Sequence, residues 1–403
     1  MTDDLKRRES AFPIGARIKT VDLEHDPYPV FQRLRQHEPV SWIKELSIWY
    51  VVKYSDVQAV LKDTQTFVTA SEASLIHDTF GAHILTVEGA QHKAYKAILR
   101  GPFAKSVVRR TMTDAIGAHT DRLLDQVAPL GEADMRSAFA SRLPILTMLS
   151  LFGLPLEDER SLRLWYTAFE HALANFEWDE DIRATARRDV AAFHDLLQQR
   201  IEGFRTEPAP CLLSDLANAP AGKRLSDDEI KRNASIIFFG GISTVEALIL
   251  NTLWALSIRP DVKQRVMVDR TLLPQAIEES IRFCSPVQSA TRHVVGDTEV
   301  GGVAVKKGDI VNCMLGAANR DPDMFVEPDV FDIDRRNVRR HLGFAVGPHH
   351  CLGAHLARLE AEIALSRLFD RLPAWRSVDL EEVFPRGYEF RQPRSMRLLW
   401  TGD

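Results

Sequence analysis

Residues 344–353 read Phe-Ala-Val-Gly-Pro-His-His-Cys-Leu-Gly, and the most reactive side chain in that run is Cys351. Gly347 and Pro348 mark a turn. Leu352, Leu356, Leu359, Ile363 and Leu368 then recur at helical spacing toward Asp370, which predicts a helix with one buried face. Cys351 therefore sits at or just before a helix N-terminus. Free backbone N–H groups and the positive end of the helix dipole favour a thiolate there and lower its pKa. A cysteine held this way is a metal ligand or a nucleophile. An inert buried thiol competes with that reading as long as Cys351 is considered alone.

Three other groups have chemically suggestive spacing. His92 and Lys96 are i,i+4 neighbours on a helix expected to open at Gln91, and by themselves they read as a solvated face. Glu279 and Arg282 are i,i+3 neighbours on an expected helix Pro274–Phe283, with Arg335 farther along; an exposed pair of this kind contributes little. The third group lies in a long run that starts at a capping box, Ser226-Asp-Asp-Glu229, and extends to Ser257. At 1.5 Å per residue that helix would be roughly 45–50 Å long. Residues 234–256 are almost wholly apolar. About 20 such residues can span a membrane, but Glu246 and Asn251 interrupt the run and no other span accompanies it. The centre of a large soluble protein is the better reading. Its middle reads Phe238-Phe-Gly240-Gly241-Ile-Ser243-Thr244-Val245-Glu246. Paired glycines cost a helix on the order of 1 kcal/mol each. Either something flat approaches the backbone there, or the glycines serve a kink or a close helix contact.

Taken in order, these stretches resemble the cytochrome P450 family. Phe-x-x-Gly-x-x-x-Cys-x-Gly, with His349 two residues before the cysteine, is similar to that family's haem-binding loop. Ala345 departs from a usual glycine. The resemblance implies that Cys351 is the axial ligand of haem iron, in a loop shaped by Phe344, Gly347 and Gly353. It further implies that Arg292, His349, His92 and Lys96 hold the haem propionates, Lys96 replacing a usual Arg and giving up its bidentate fork. Gly240, Gly241 and Thr244 match the oxygen-side helix. Ser243 stands where an acid is usual, and Val245 where a second hydroxyl is usual. Glu246 lies about 200° around the helix from Thr244 and should not simply substitute. Proton delivery is thus left to Ser243, water or the substrate. Glu279, Arg282 and Arg335 look like the structural triad that braces the loop, and Ala318-Asn-Arg-Asp321-Pro322 matches a further signature.

The implied fold is mainly α with a minor β region: one triangular domain over residues 1–403, built round a long central helix. Residues 1–20 read as a loose arm and 207–224 as a loose stretch. Strands are expected at Val40–Ile43 and Trp49–Val52, around 294–313, and over Tyr388–Trp400, with a Ser55-capped helix to Leu61 and a loop over 70–90 that roofs the pocket. The implied chemistry is a haem b monooxygenase that inserts one atom of dioxygen into a C–H bond, by hydroxylation or O/N-dealkylation. Leu75, Ile76, Phe80, Phe169, Ile237, Val287, Gln288, Ala290 and Gln392 are the expected substrate contacts, with the stretch to Phe176 as a further part of the wall. They point to a small hydrophobic or aromatic molecule. No flavin or iron–sulfur segment is evident, so electrons would come from a ferredoxin- or flavodoxin-type donor with its reductase, docking near Arg335, Arg336, Arg339 and Arg340; a solvated charged loop is the plain alternative for these residues. Two other functions stay open: a haem-thiolate enzyme of different chemistry (peroxide-driven, coupling, nitration or desaturation), and a non-catalytic haem sensor or carrier.

Composition agrees. The chain has 403 residues, 45% hydrophobic, and a formal net charge of -5, which argues against nucleic acid as a partner. Cys211, Cys284, Cys313 and Cys351 form no C-x-x-C pair, which excludes the usual zinc and disulfide frameworks. The polar N-terminus carries no signal-peptide core. A soluble, monomeric, cytoplasmic protein is expected.

Overall fold

The capping box at Ser226 sets the central element. The Ser226 hydroxyl accepts the Glu229 N–H at 3.2 Å, and Glu229 Oε2 accepts the Ser226 N–H at 2.8 Å. In this computed structural model, which describes residues 3–71, 74–175 and 178–400, the run from Asp227 to Ser257 is long and apolar enough to cross a membrane, but its most apolar window is 72% buried inside the protein. It is broken in the middle: one helix spans Asp227–Gly240 and the next Ser243–Ser257. A Cβ on Gly241 would lie 2.8 Å from the Met148 sulfur of helix Leu143–Phe152. Close helix packing therefore explains Gly241. Gly240 differs, because nothing lies within 4 Å of a Cβ there.

Helix Ser243–Ser257 packs against Leu273–Phe283 and Ala354–Arg371. Their apolar faces merge in one large core with helices Lys105–Val127, Leu143–Phe152 and Glu159–Leu173. A five-stranded sheet lies to the side, in the order Val40–Ile43, Ile48–Val51, Ile310–Met314, Ser289–Val294, Phe67–Val68. All its pairings are antiparallel except that of Ile48–Val51 with Ile310–Met314. The register sets Ala290 opposite Cys313 and Arg292 opposite Val311.

Several expectations need correction. Residues 3–17 are not a loose arm. Helix Asp3–Ala11 lies on the sheet, with Arg8 bonded to Asp309 at 2.9 Å and stacked over Trp42, and Phe12 set edge-on to Trp49. Backbone N–H groups of Ile14 and Gly15 donate to the Glu38 carboxylate. The 70–90 segment contains a short helix, Leu75–Phe80, capped by Ser74. Helix Tyr54–Lys62 begins before Ser55, and 207–224 holds helix Leu212–Ala217. Near the C-terminus the ladder strand is only Arg397–Leu399, preceded by isolated bridges Val287–Phe390 and Arg386–Gln392.

Candidate haem-thiolate site

The Cys351 loop is tied by its own backbone. The Cys351 N–H donates to Phe344 O at 2.9 Å, His350 N–H to Gly347 O at 3.1 Å, and Ala345 N–H to Leu342 O at 2.8 Å. Helix Ala354–Arg371 follows with Gly353 as its N-cap, so the thiol stands just before the helix, as its spacing predicts. Cys211, Cys284 and Cys313 are buried, whereas Cys351 is exposed. Gly347 has a φ of +84°, and a Cβ there would meet Leu61 O at 2.8 Å. A Cβ on Gly353 would meet nothing within 4 Å.

Ala345 stands at φ +54°, in the left-handed region that favours glycine. An L-residue there costs roughly 1–2 kcal/mol, whereas glycine costs the unfolded chain's extra entropy, about 0.4–1 kcal/mol. Ala345→Gly should therefore raise stability by up to about 1 kcal/mol, read as a higher denaturation midpoint.

The helix start does not by itself yield a thiolate. Although Cys351 keeps surface open to solvent, the protein atoms crowded round its sulfur desolvate it and push the thiol up, and N–H groups of Gly353 and Ala354 together with the Arg358 charge only partly oppose this. A bound cation is what would deprotonate it outright. Arg358 stacks over the Phe344 ring at 4.3 Å and pairs with buried Glu278, which also takes His341 Nε2 at 3.0 Å. Burial raises the Glu278 carboxyl, but the bonds from His341 and Arg358 outweigh it and hold the pKa at about 2.

The Glu279–Arg282–Arg335 set comes together next along the chain from Glu278. Arg282 forks both Glu279 oxygens at 2.7 and 2.8 Å, and Arg335 Nε reaches Glu279 Oε1 at 3.2 Å. The remaining Arg282 donors go to the carbonyls of Asn319, Pro328 and Val330. All three side chains are buried. Arg335 is thereby removed from the surface; Arg336, Arg339 and Arg340 stay exposed.

Arg292, on the middle of the sheet, is buried and has no ion pair among the described residues. Its Nη1 donates to Thr291 O at 2.8 Å, and its Nε has no partner. Burial lowers its pKa. An unpaired buried cation is costly, so this group fits an anionic ligand. Lys96 also approaches, bonding Pro348 O. The His92 and His349 rings lie 4.2 Å apart. Burial, with the charges of His349 and Lys96, brings His92 down to about 4. His349 is engaged differently from expectation: its Nε2 donates to Glu88 Oε2 at 2.8 Å. Glu88 also receives the Thr69 N–H and hydroxyl. Its proximity to His349 follows from tertiary packing, and nothing in the local sequence signals it. Among the described residues no cluster of three or more His, Cys, Asp or Glu could hold a metal ion. A lone exposed thiol, a half-free buried arginine and open glycine faces together fit a haem with two carboxylate arms.

On the other side, Thr244 Oγ donates to Gly240 O at 2.7 Å across the helix break. Ser243 is buried and directed to helix Glu159–Leu173, where its N–H donates to the Tyr166 hydroxyl at 3.3 Å. Glu246 is taken by Arg136 at 2.7 Å, and burial raises its carboxyl; it does not substitute for an acid at 243. Leu75, Ile76, Ile237, Val287 and Ala290 are half-buried; Ile76 and Ile237 pack against the main core and Val287 and Ala290 against the core beside the sheet. Phe80 and Phe169 are buried and pack on each other at 5.1 Å, with Phe238, Phe239 and Phe193 around them. They are core that ties the 75–80 helix to the central one, not free wall. Gln288 is also not a substrate contact: it is buried against Gly316 and donates to Ser285 O. Gln392 is half-buried, and its Oε1 has no partner. Phe176 lies outside the described residues.

Comparison with known proteins agrees with this geometry. The family model "Cytochrome P450" matches residues 11–374. Cytochrome P450 109 of Bacillus spizizenii is 34% identical over 349 residues, 85% of this chain and 83% of its own. Cytochrome P450 monooxygenase PikC of Streptomyces venezuelae is 33% identical over 370 residues, 87% and 85% of the two chains. The crystal structure of CYP109E1 from Bacillus megaterium in complex with corticosterone superposes with a TM-score of 0.84 at 28% identity, over 93% of this chain and 98% of that one. A thiol presented on such a loop, within that fold, means that the chain belongs to the cytochrome P450 family of monooxygenases, which work with haem b and dioxygen.

Proposed function

We propose that the protein oxygenates a C–H bond of a small hydrophobic or aromatic molecule, by hydroxylation or O/N-dealkylation, with electrons from a separate donor. The observation that carries this reading is the exposed Cys351 thiol at the end of a braced loop, with helix Ser243–Ser257 packed against the helix that the thiol opens. When bound, haem supplies the activation of dioxygen, using two electrons and two protons. In this reading Cys351 ligates the iron as thiolate, the role that favours O–O cleavage. Arg292, His92, Lys96 and His349 hold the propionates, the His349 ring being oriented by its Nε2 bond to Glu88. Thr244 orients hydrogen bonds on the oxygen side, beside the open face of Gly240.

Half-buried Leu75, Ile76, Ile237, Val287 and Ala290 give the substrate side an apolar wall. The corticosterone complex of the structural relative supports a hydrophobic substrate. Titrating a substrate library against the haem absorption identifies binders. Turnover of a binder under isotopically labelled dioxygen should place one labelled atom in the product. Reductant consumption without labelled product would contradict the reading.

For the donor, Arg339 and Arg340 flank a groove of about 300 Å³ that reaches Phe344, Ala345 and His350 of the cysteine loop. A positive rim next to the ligand loop favours docking of an acidic ferredoxin- or flavodoxin-type protein. The double substitution Arg339→Glu, Arg340→Glu should slow reduction and flatten its salt dependence in stopped-flow traces. Unchanged kinetics would show that the donor docks elsewhere.

A further inference from the structure

We propose that Glu88 is a positioning residue for haem: its carboxylate ties the sheet edge beside Arg292, the helix of His92 and Lys96, and the loop of His349 into one unit. This rests on the assignment of those four groups to the propionates. The Thr69 N–H and hydroxyl donate to Glu88 Oε1 at 2.9 and 3.0 Å, and His349 Nε2 donates to Glu88 Oε2 at 2.8 Å. Thr69 directly follows strand Phe67–Val68, whose Val68 pairs with His293, the neighbour of Arg292. Glu88 itself is the N-cap of helix Gly89–Leu99, which carries His92 and Lys96. His349 belongs to the Cys351 loop. Sheet edge, helix start and loop therefore meet on a single side chain.

The local structure suits a junction and not a cap. Glu is not among the residues favoured at an N-cap, and the Glu88 side chain makes no capping bond to its own helix. Glu88, His92 and Lys96 follow one another at i, i+4 and i+8, so one face of the helix meets the loop: the His92 ring lies 4.2 Å from that of His349, and Lys96 bonds Pro348 O. Both Glu88 oxygens are taken, by Thr69 and by His349. Arg292 is thus left half-free, with Nη1 on Thr291 O and no partner for Nε. Glu88 frames the anion site without filling it.

The contacts are of the strong kind. Burial raises the Glu88 carboxyl, but the bonds from His349 and Thr69 outweigh it and hold it below the usual carboxylate range. The side chains of His349 and Glu88 are only 2% and 20% exposed, and Thr69 is buried. A bond to a charged acceptor that is so little screened keeps more of its strength than a surface pair does. Without Glu88 the His349 ring keeps its contact with His92 alone, and the helix start loses its tie to Thr69. All the groups assigned to the propionates then lose their common reference point.

In haem transfer from the loaded protein to an acceptor protein, Glu88→Ala should raise the transfer rate by roughly tenfold or more, the scale on which outer partners of a ligand set act. Glu88→Gln keeps one acceptor oxygen of the two, so its rate should lie between those of Glu88→Ala and the wild type. Because Glu88 acts through His349, the double variant Glu88→Ala, His349→Phe should transfer haem within about twofold of the faster single variant. The propionate-bending band in the resonance Raman spectrum of the loaded protein should shift in Glu88→Gln, which a purely structural tie would leave unmoved. A Glu88→Ala transfer rate within about twofold of wild type, fully additive effects in the double variant, or an unmoved band in both Glu88 variants would overturn the role of Glu88 alone. Wild-type transfer rates in both Arg292→Leu and His349→Phe would instead overturn the propionate assignment, and the role of Glu88 with it.

Discussion

Glu279→Ala should destabilise the folded protein by roughly 3–5 kcal/mol, the range for breaking a buried pair by removing one partner. Glu279 is fully buried and carries two guanidinium groups, bidentate to Arg282 and single to Arg335. It also accepts the Asp332 N–H at 2.9 Å. Its removal leaves Arg282, with no exposed side-chain surface, held only by neutral carbonyls. The loss is measured as a shift in the denaturant midpoint at constant slope. Since Arg335 and Asp332 lie on the chain that leads into the Cys351 loop, haem content after expression should fall with stability. A loss under about 1 kcal/mol, the range of an exposed pair, would mean that the pair is no brace.

Arg292→Leu should weaken haem retention by roughly 10–100-fold, because a hydrogen bond to a charged group contributes about 1.5–3 kcal/mol. The apoprotein should respond in the opposite direction. There the guanidinium is buried with an unpartnered Nε and no carboxylate pair among the described residues, so leucine relieves a desolvation cost. Haem transfer to an acceptor protein measures the first effect, and thermal denaturation of the apoprotein the second. A variant that loses apoprotein stability but keeps haem would assign Arg292 to the sheet, not to the propionates.

What could be read from the sequence was what lies close together along it. Cys351, Gly347 and the helix that follows sit within one local run, and their geometry emerged as expected. Thr244 and the glycines were legible for the same reason. Gly240 and Gly241 could not be separated, because Met148, which needs Gly241, lies on another helix. The Glu279–Arg335 contact spans 56 positions and was legible only through resemblance to a family. The N-terminal helix looked loose because its partners, Asp309 and Trp49, are distant in sequence. Tyr166 is buried, and its hydroxyl meets an amide 77 positions away. Its i,i+4 spacing to Glu170 was the one local signal. Glu88 gave none, since the turn that brings His349 to it is 261 positions removed.

The central claim is that Cys351 ligates haem iron as a thiolate. Its most direct test is the carbon-monoxide difference spectrum of the reduced, haem-loaded protein, recorded for the wild type and for Cys351→Ser. The wild type should show the thiolate-type band, and the serine variant should lack it. A wild-type spectrum of the imidazole type, or a thiolate-type band that survives in Cys351→Ser, would contradict the assignment.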